Sequence, residues 1–178
     1  MTTPAEPPAP GGIPAGWKLP RLRITRDGEW LHEGEEVTHP GILANLRENL
    51  RVDAEGHYMV AGPARVPVEI EDAPFVVIRV AAEGDRLMAT LNDLSQEPLD
   101  PETLSFDGVG VPHCRVKGGT FSARLSRAAT HQLLDRMEED GGDGRAVLVV
   151  GSRRYPIALP PGAQPPPGTP LPPASSGA

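Results

Sequence analysis

Apolar residues alternate with polar ones at the start of the chain, where Leu22 and Ile24 precede Asp27-Gly28 and Trp30 follows it. Period-two patterning on both sides of an Asp-Gly pair predicts a hairpin closed by a tight turn, and Glu33-Gly34 marks a second turn before Val37. The period then lengthens. Ile42, Leu43, Leu46 and Leu50 recur at helical spacing, behind a cap at Thr38 or His39 and a proline at the first position, Pro40. Asp53 to Gly56 reads as a turn, and Tyr58 and Val60 alternate as in a strand. Residues 65–93 predict three strand segments, the first two separated by Pro74 and the last two by Glu83-Gly84-Asp85. Pro98 to Asp107 is expected as a loop, and residues 108–119 as a strand made irregular by Pro112. The stretch 120–140 is expected to be the longest helix, with Phe121, Leu125, Ala128, Ala129, Leu133 and Met137 as its apolar arc and Gly141-Gly142 as its stop. Residues 145–159 close the pattern as a hairpin turning at Gly151-Ser152. The helices are too few for a parallel α/β sheet, so the class is α+β, with mainly antiparallel sheets. The element order suggests a strand–helix–strands unit used twice, although no residue pattern repeats.

The same alternation interprets the acidic stretch from Val68 to Val80. Val66, Val68 and Ile70 share one face, and Pro67, Glu69 and Glu71 share the other. Asp72-Ala73-Pro74 is a corner, because proline cannot donate to a central ladder and the residue before it is pushed extended. These acids therefore read first as a solvent face and a corner. Acid–base work by two carboxylates needs a cleft that drives their pKa values apart.

Composition bounds the folded part. Of the 22 prolines, six lie in residues 1–20 and eight in residues 160–178. Such segments bury too little apolar surface to offset chain entropy, so residues 1–16 and 160–178 are expected as disordered Pro-rich tails. The folded part divides into an N-terminal half, 17–97, and a C-terminal half, 98–159. A net charge of −7 argues against binding to nucleic acid or to an anionic membrane. Cys114 is the only cysteine, which excludes an internal disulfide and a cysteine-rich zinc site. The first residues lack a basic start followed by an apolar run, and no apolar stretch approaches the roughly 20 residues that span a bilayer. A cytoplasmic location is the expectation.

Three ordered segments, "DGEWLHEGEEVTHPGILANL", "DAEGHYMVAGP" and "EDAPFVVIRV", followed by "ARLSRAATHQLL", resemble the bacterial family known as domain of unknown function 1285. The resemblance covers roughly residues 21–158. It departs from the family pattern at Gly62 and Ala64 around the proline of the third segment, at Leu91 beside the Asn-Asp pair, and at Ala129 and Thr130 in the helix. It implies an α+β fold with a repeated motif, no settled activity, and ligand binding or signalling.

Among residues that carry chemistry, Arg124, Arg127 and His131 fall within about 60° on a helix wheel. Such a stripe can hold an anionic ligand, since guanidinium forks match carboxylate and phosphate oxygens. It can equally be a solvated face, or brace the fold through Asp72 or Glu71. His113 and Cys114 are neighbours on a strand and point to opposite faces, which does not suit a cysteine nucleophile or a metal site. His32, His39 and His57 flank acidic residues but lack metal-ligand spacing. No phosphate-binding glycine loop and no Gly-x-Ser-x-Gly elbow occurs. No cofactor is implied. The expected function is a non-enzymatic binding protein that takes a small anionic ligand or a protein partner. Its site would use Glu71, Asp72, Arg124, Arg127 and His131, in a groove between the halves. One alternative is an enzyme with Glu71 or Asp72 as base and Arg127 as anion clamp. Another is a scaffold that docks through the Pro-x-x-Pro spacing of its tail.

Overall fold

The Asp27-Gly28 signal produces the pairing its residues require. In the computed structural model, which describes residues 18–140 and 145–159, strands β1 (Leu22–Ile24) and β2 (Trp30–His32) pair antiparallel across that turn. A second turn, with Glu33 at φ 52° and Gly34 at φ 89°, leads to β3 (Glu35–Glu36). Two successive positive φ values match the right-handed twist of the flanking strands. Helix α1 (Pro40–Glu48) starts where the sequence places it: His39 is the cap, and its Nδ1 accepts the Gly41 N–H at 3.2 Å. Leu46 is its buried residue, whereas Ile42 stays half exposed. Leu50 does not extend the helix but begins β4 (Leu50–Asp53). Strands β5 (Gly56–Ala61) and β6 (Ala64–Ile70) complete an antiparallel meander.

Strand β6 changes partner part-way. Ala64–Pro67 pairs antiparallel with β5, and Val68–Ile70 pairs parallel with β1. Its alternation is the one the sequence predicts: Ala64, Val66 and Val68 are buried, and Arg65, Pro67 and Glu69 are exposed. The sheet order is therefore β3-β2-β1-β6-β5-β4. Ile24, Trp30, Leu50 and Val66 are its deepest side chains.

This compact unit ends at Val76, and another begins at Val77. The second contains all but the first two residues of β7 (Phe75–Glu83), with β8 (Arg86–Leu91), β9 (Gln96–Leu99), a 3-10 turn (Pro101–Thr103), β10 (Ser105–Phe106), β11 (Pro112–Val116) and β12 (Phe121–Leu125). Its sheet order is β10-β11-β12-β7-β8-β9. Read from the other edge, that is the strand order of the first sheet, so the repeated unit is real. Each copy has three strands, a short connection and three more strands. The connection is α1 in the first copy and the 3-10 turn in the second, and each opens on a capped proline, His39-Pro40 and Asp100-Pro101. The loop expected over 98–107 thus holds a strand end, a capped turn and a short strand.

The long helix expected over 120–140 is not formed. That stretch is β12, helix α2 (Arg127–Leu134) and β13 (Met137–Asp140). Phe121, Ala123 and Leu125 are buried alternately, a period-two pattern that also matches a helical one at its ends. Ser126 breaks it: its side chain caps the Ala129 N–H at 3.2 Å and starts the helix there. Ala128, expected in the apolar arc, is exposed. Strand β13 pairs with β14 (Arg145–Val150), which pairs with β15 (Arg153–Ile157) across the expected Gly151-Ser152 turn. The Pro-rich tails 1–16 and 160–178 and the Gly141-Gly142 stop lie outside the described residues. Neither described helix is long and apolar enough to cross a membrane.

In the second sheet, β9 lies against β11 as well as β8. Lys117, in the β11–β12 turn, clasps this closure. Its Nζ reaches Asp93 Oδ2 and Ser95 Oγ at 2.7 Å each, and its N–H donates to Glu97 Oε1 at 2.7 Å. Burial pulls the Asp93 pKa upward, but hydrogen bonds from Lys117 and Ser95 outweigh it and hold the carboxyl below its ordinary 3.8. A lowered folded-state pKa stabilises fully above the unfolded value, and the contribution is lost as pH falls below 3.8 through the folded value. Lys117→Met is expected to cost about 1–2 kcal/mol near neutral pH. Urea unfolding of both proteins should show that difference shrinking towards about pH 3. A pH-independent difference would mean that the clasp is not electrostatic.

Candidate functional site

The corner between β12 and α2 positions the basic residues. The Ser126 N–H donates to Val77 O at 2.8 Å, and the Thr130 N–H donates to Ser126 O at 2.8 Å, so the corner is tied to β7 and to the first helical turn. Arg124 is the penultimate residue of β12, Arg127 is the first residue of the helix, and His131 lies one helical turn further on. All three line one pocket of about 300 Å³, together with Thr130 and an apolar lip at Val111 and Pro112. The expectation that Arg124 and Arg127 share a helix face is incorrect, because Arg124 is on a strand. The corner at Ser126 nevertheless brings the two guanidinium-bearing residues to the same pocket.

The lip is held by a polar side chain. Asp107 Oδ1 accepts the Val109 N–H at 3.0 Å and the Val111 N–H at 2.8 Å, and the Gly110 N–H donates to Asp107 O at 3.0 Å. The Val111 N–H, above all, holds the Asp107 carboxyl below its usual range against some burial; the Val109 N–H and the charges of His113 and Arg124 act in the same direction. Sequence reading missed this lip. Its signal is the Asp-Gly-x-Gly run at 107–110, an aspartate able to accept backbone N–H groups two and four residues on.

Glu71 and Asp72 are not among the residues lining this pocket. Glu71 directly follows β6 and is exposed, as its alternation predicts. Its Oε2 accepts the Arg26 N–H at 3.0 Å, and its Oε1 lies 3.4 Å from Arg23 Nε. The carboxylate thus links β6 to the β1–β2 turn. Asp72 is half-buried at the Ala73-Pro74 corner.

The remaining candidates resolve individually. Cys114 is buried, and desolvation, with a smaller contribution from Glu97, pushes its thiol up to about 12. The neighbouring His113 faces the other way, its Nδ1 3.1 Å from Val111 O. His39 is a helix cap. Asp53 and Glu55 hold Arg65, which stacks 3.7 Å over the Tyr58 ring. Among the described residues, no group of three or more His, Cys, Asp or Glu is arranged to hold a metal ion.

No family model matches the chain, and no curated protein matches it. Solved structures do. A DUF1285 family protein from Silicibacter pomeroyi aligns over 85% of this chain and 90% of its own, with a TM-score of 0.64 at 23% identity. The fold is that of a DUF1285 protein. A second DUF1285 family protein, from Shewanella baltica, aligns over 65% of this chain and 91% of its own, with a TM-score of 0.57 at 14% identity. The resemblance first carried by the Glu-Asp-Ala-Pro-Phe and Asp-Gly-x-Trp segments is thereby supported by three-dimensional structure. At these identities the likeness to DUF1285 proteins concerns the fold.

Proposed function

We propose that this protein is a non-catalytic binding module with a regulatory role, and that its ligand is a small anion seated in the pocket of Arg124, Arg127 and His131. One observation carries the reading: two arginines and a histidine, drawn from a strand and a helix, line a single pocket of about 300 Å³. Guanidinium groups offer fixed pairs of N–H donors to carboxylate or phosphate oxygens, and the Thr130 hydroxyl adds a further donor. Recognition by such a pocket acts through linkage, because an anion that binds only the folded chain stabilises it.

The test is calorimetric titration of the full chain with inorganic phosphate, pyrophosphate and small dicarboxylates. At least one is expected to bind, with affinity falling as salt rises. Arg127 is exposed at the helix start, so Arg127→Ala is expected to leave the melting temperature within a few degrees while weakening binding about tenfold or more. Binding that ignores Arg127→Ala would place the anion elsewhere, and the absence of binding by every probe would remove the reading.

A further inference from the structure

The C-terminal end of α2 borders a second cavity, of about 390 Å³, which shares no residue with the anion pocket. It is lined by Arg79, Val80 and Ala81 of β7 and by Gln132, Asp135 and Arg136. The register of β7 against β8 shifts between Val77 and Arg79. A bulge of this kind re-aims side chains and interrupts the ladder. The Val80 N–H is satisfied by Gln132 Oε1 at 2.7 Å, which ties the helix to the irregular strand. With its oxygen so committed, the Gln132 amide presents its two N–H donors.

The charged side chains around this cavity are left without partners among the described residues. The side chains of Arg79 and Asp135 make no hydrogen bond or ion pair among the described residues. Arg136 Nε is buried without a hydrogen-bond partner among the described residues. The Arg136 backbone is pinned, its N–H donating to Leu133 O at 3.0 Å and its carbonyl accepting the Val149 N–H at 2.9 Å. Native proteins pair nearly all buried donors, so an orphaned guanidinium N–H beside a cavity calls for an acceptor from outside. Two guanidinium groups and an amide suit a carboxylate. Asp135 in the same lining disfavours a phosphate dianion and suits an ammonium group.

We propose that this cavity binds a small zwitterion of the α-amino acid class. Its carboxylate would be held by Arg79, Arg136 and the Gln132 amide, and its ammonium by Asp135. The site is independent of the anion pocket and stands or falls separately from it.

The experiment titrates the full chain with the individual L-amino acids, with their N-acetyl derivatives and with inorganic phosphate. At least one amino acid is expected to bind, and its N-acetyl derivative, which lacks the positive charge, to bind about tenfold more weakly or worse. Arg79→Ala and Asp135→Asn alter exposed side chains, and each is expected to weaken the amino acid about tenfold, while Arg127→Ala leaves it unchanged. Three results would each overturn the proposal: silence from every amino acid, N-acetyl derivatives or phosphate binding as tightly, or affinity indifferent to Arg79→Ala and Asp135→Asn.

Discussion

Leu133→Ala is expected to lower the unfolding free energy of the chain by about 2–5 kcal/mol. Leu133 is fully buried, and the other buried side chain of α2 is the much smaller Ala129. A helix of eight residues has little stability of its own, so its position depends on the packing of one face. Removing the Leu133 side chain takes away most of the apolar surface that seats the helix and leaves a cavity beneath it. Urea unfolding should show a lower midpoint with little change in slope. The consequence extends to function, because Arg127, Thr130 and His131 are presented by the same helix. Anion binding is expected to weaken even though Leu133 does not line the pocket. A loss below about 1 kcal/mol would mean that the β12–α2 corner, tied through Ser126 to Val77 and Thr130, holds the helix without its buried face.

Features encoded over four or five residues were legible in the sequence. Asp27-Gly28, Glu33-Gly34 and Gly151-Ser152 announced their turns because positive φ values demand particular residues. His39-Pro40 announced α1 for a similarly local reason. The error over 120–140 has an equally specific cause. Phe121, Leu125 and Ala128-Ala129 satisfy a helical period, while Phe121, Ala123 and Leu125 satisfy a strand period, and the helix preference of alanine is overridden where Ala123 is buried in the sheet. Ser126, three residues before the N–H it caps, was the informative residue.

What escaped the sequence was long-range. Nothing local in β6 shows that Val68–Ile70 leaves its antiparallel partner to run parallel with β1. The correspondence of α1 with the 3-10 turn, and not with α2, follows from sheet order alone. Likewise Arg79 and Arg136, 57 positions apart by their numbers (136 − 79), line one cavity from a strand and a helix end. That pairing leaves no spacing to read, whereas Arg124 and Arg127 were picked out by theirs although Arg124 lies on a strand.

Gly151→Ala is expected to destabilise the chain by about 2–4 kcal/mol, through two separable effects. Gly151 has φ 57°, a left-handed conformation that costs an L-residue about 1–2 kcal/mol. A Cβ there would also overlap Asp85 Oδ1 and come within 3.0 Å of Gly84 O. Asp85 lies in the β7–β8 turn, and its carboxylate accepts the Ser152 N–H at 2.9 Å and lies 3.3 Å from the Ser152 hydroxyl, linking two hairpin turns 67 residues apart. The added methyl group displaces that carboxylate. An Asp85→Ala background removes the overlap but keeps the left-handed backbone and the approach to Gly84 O. In that background the cost of Gly151→Ala is expected to fall to about 1–2 kcal/mol. Urea unfolding of the four proteins in this cycle measures the difference. An equal cost in both backgrounds would assign the whole effect to the backbone and none to the link between the turns.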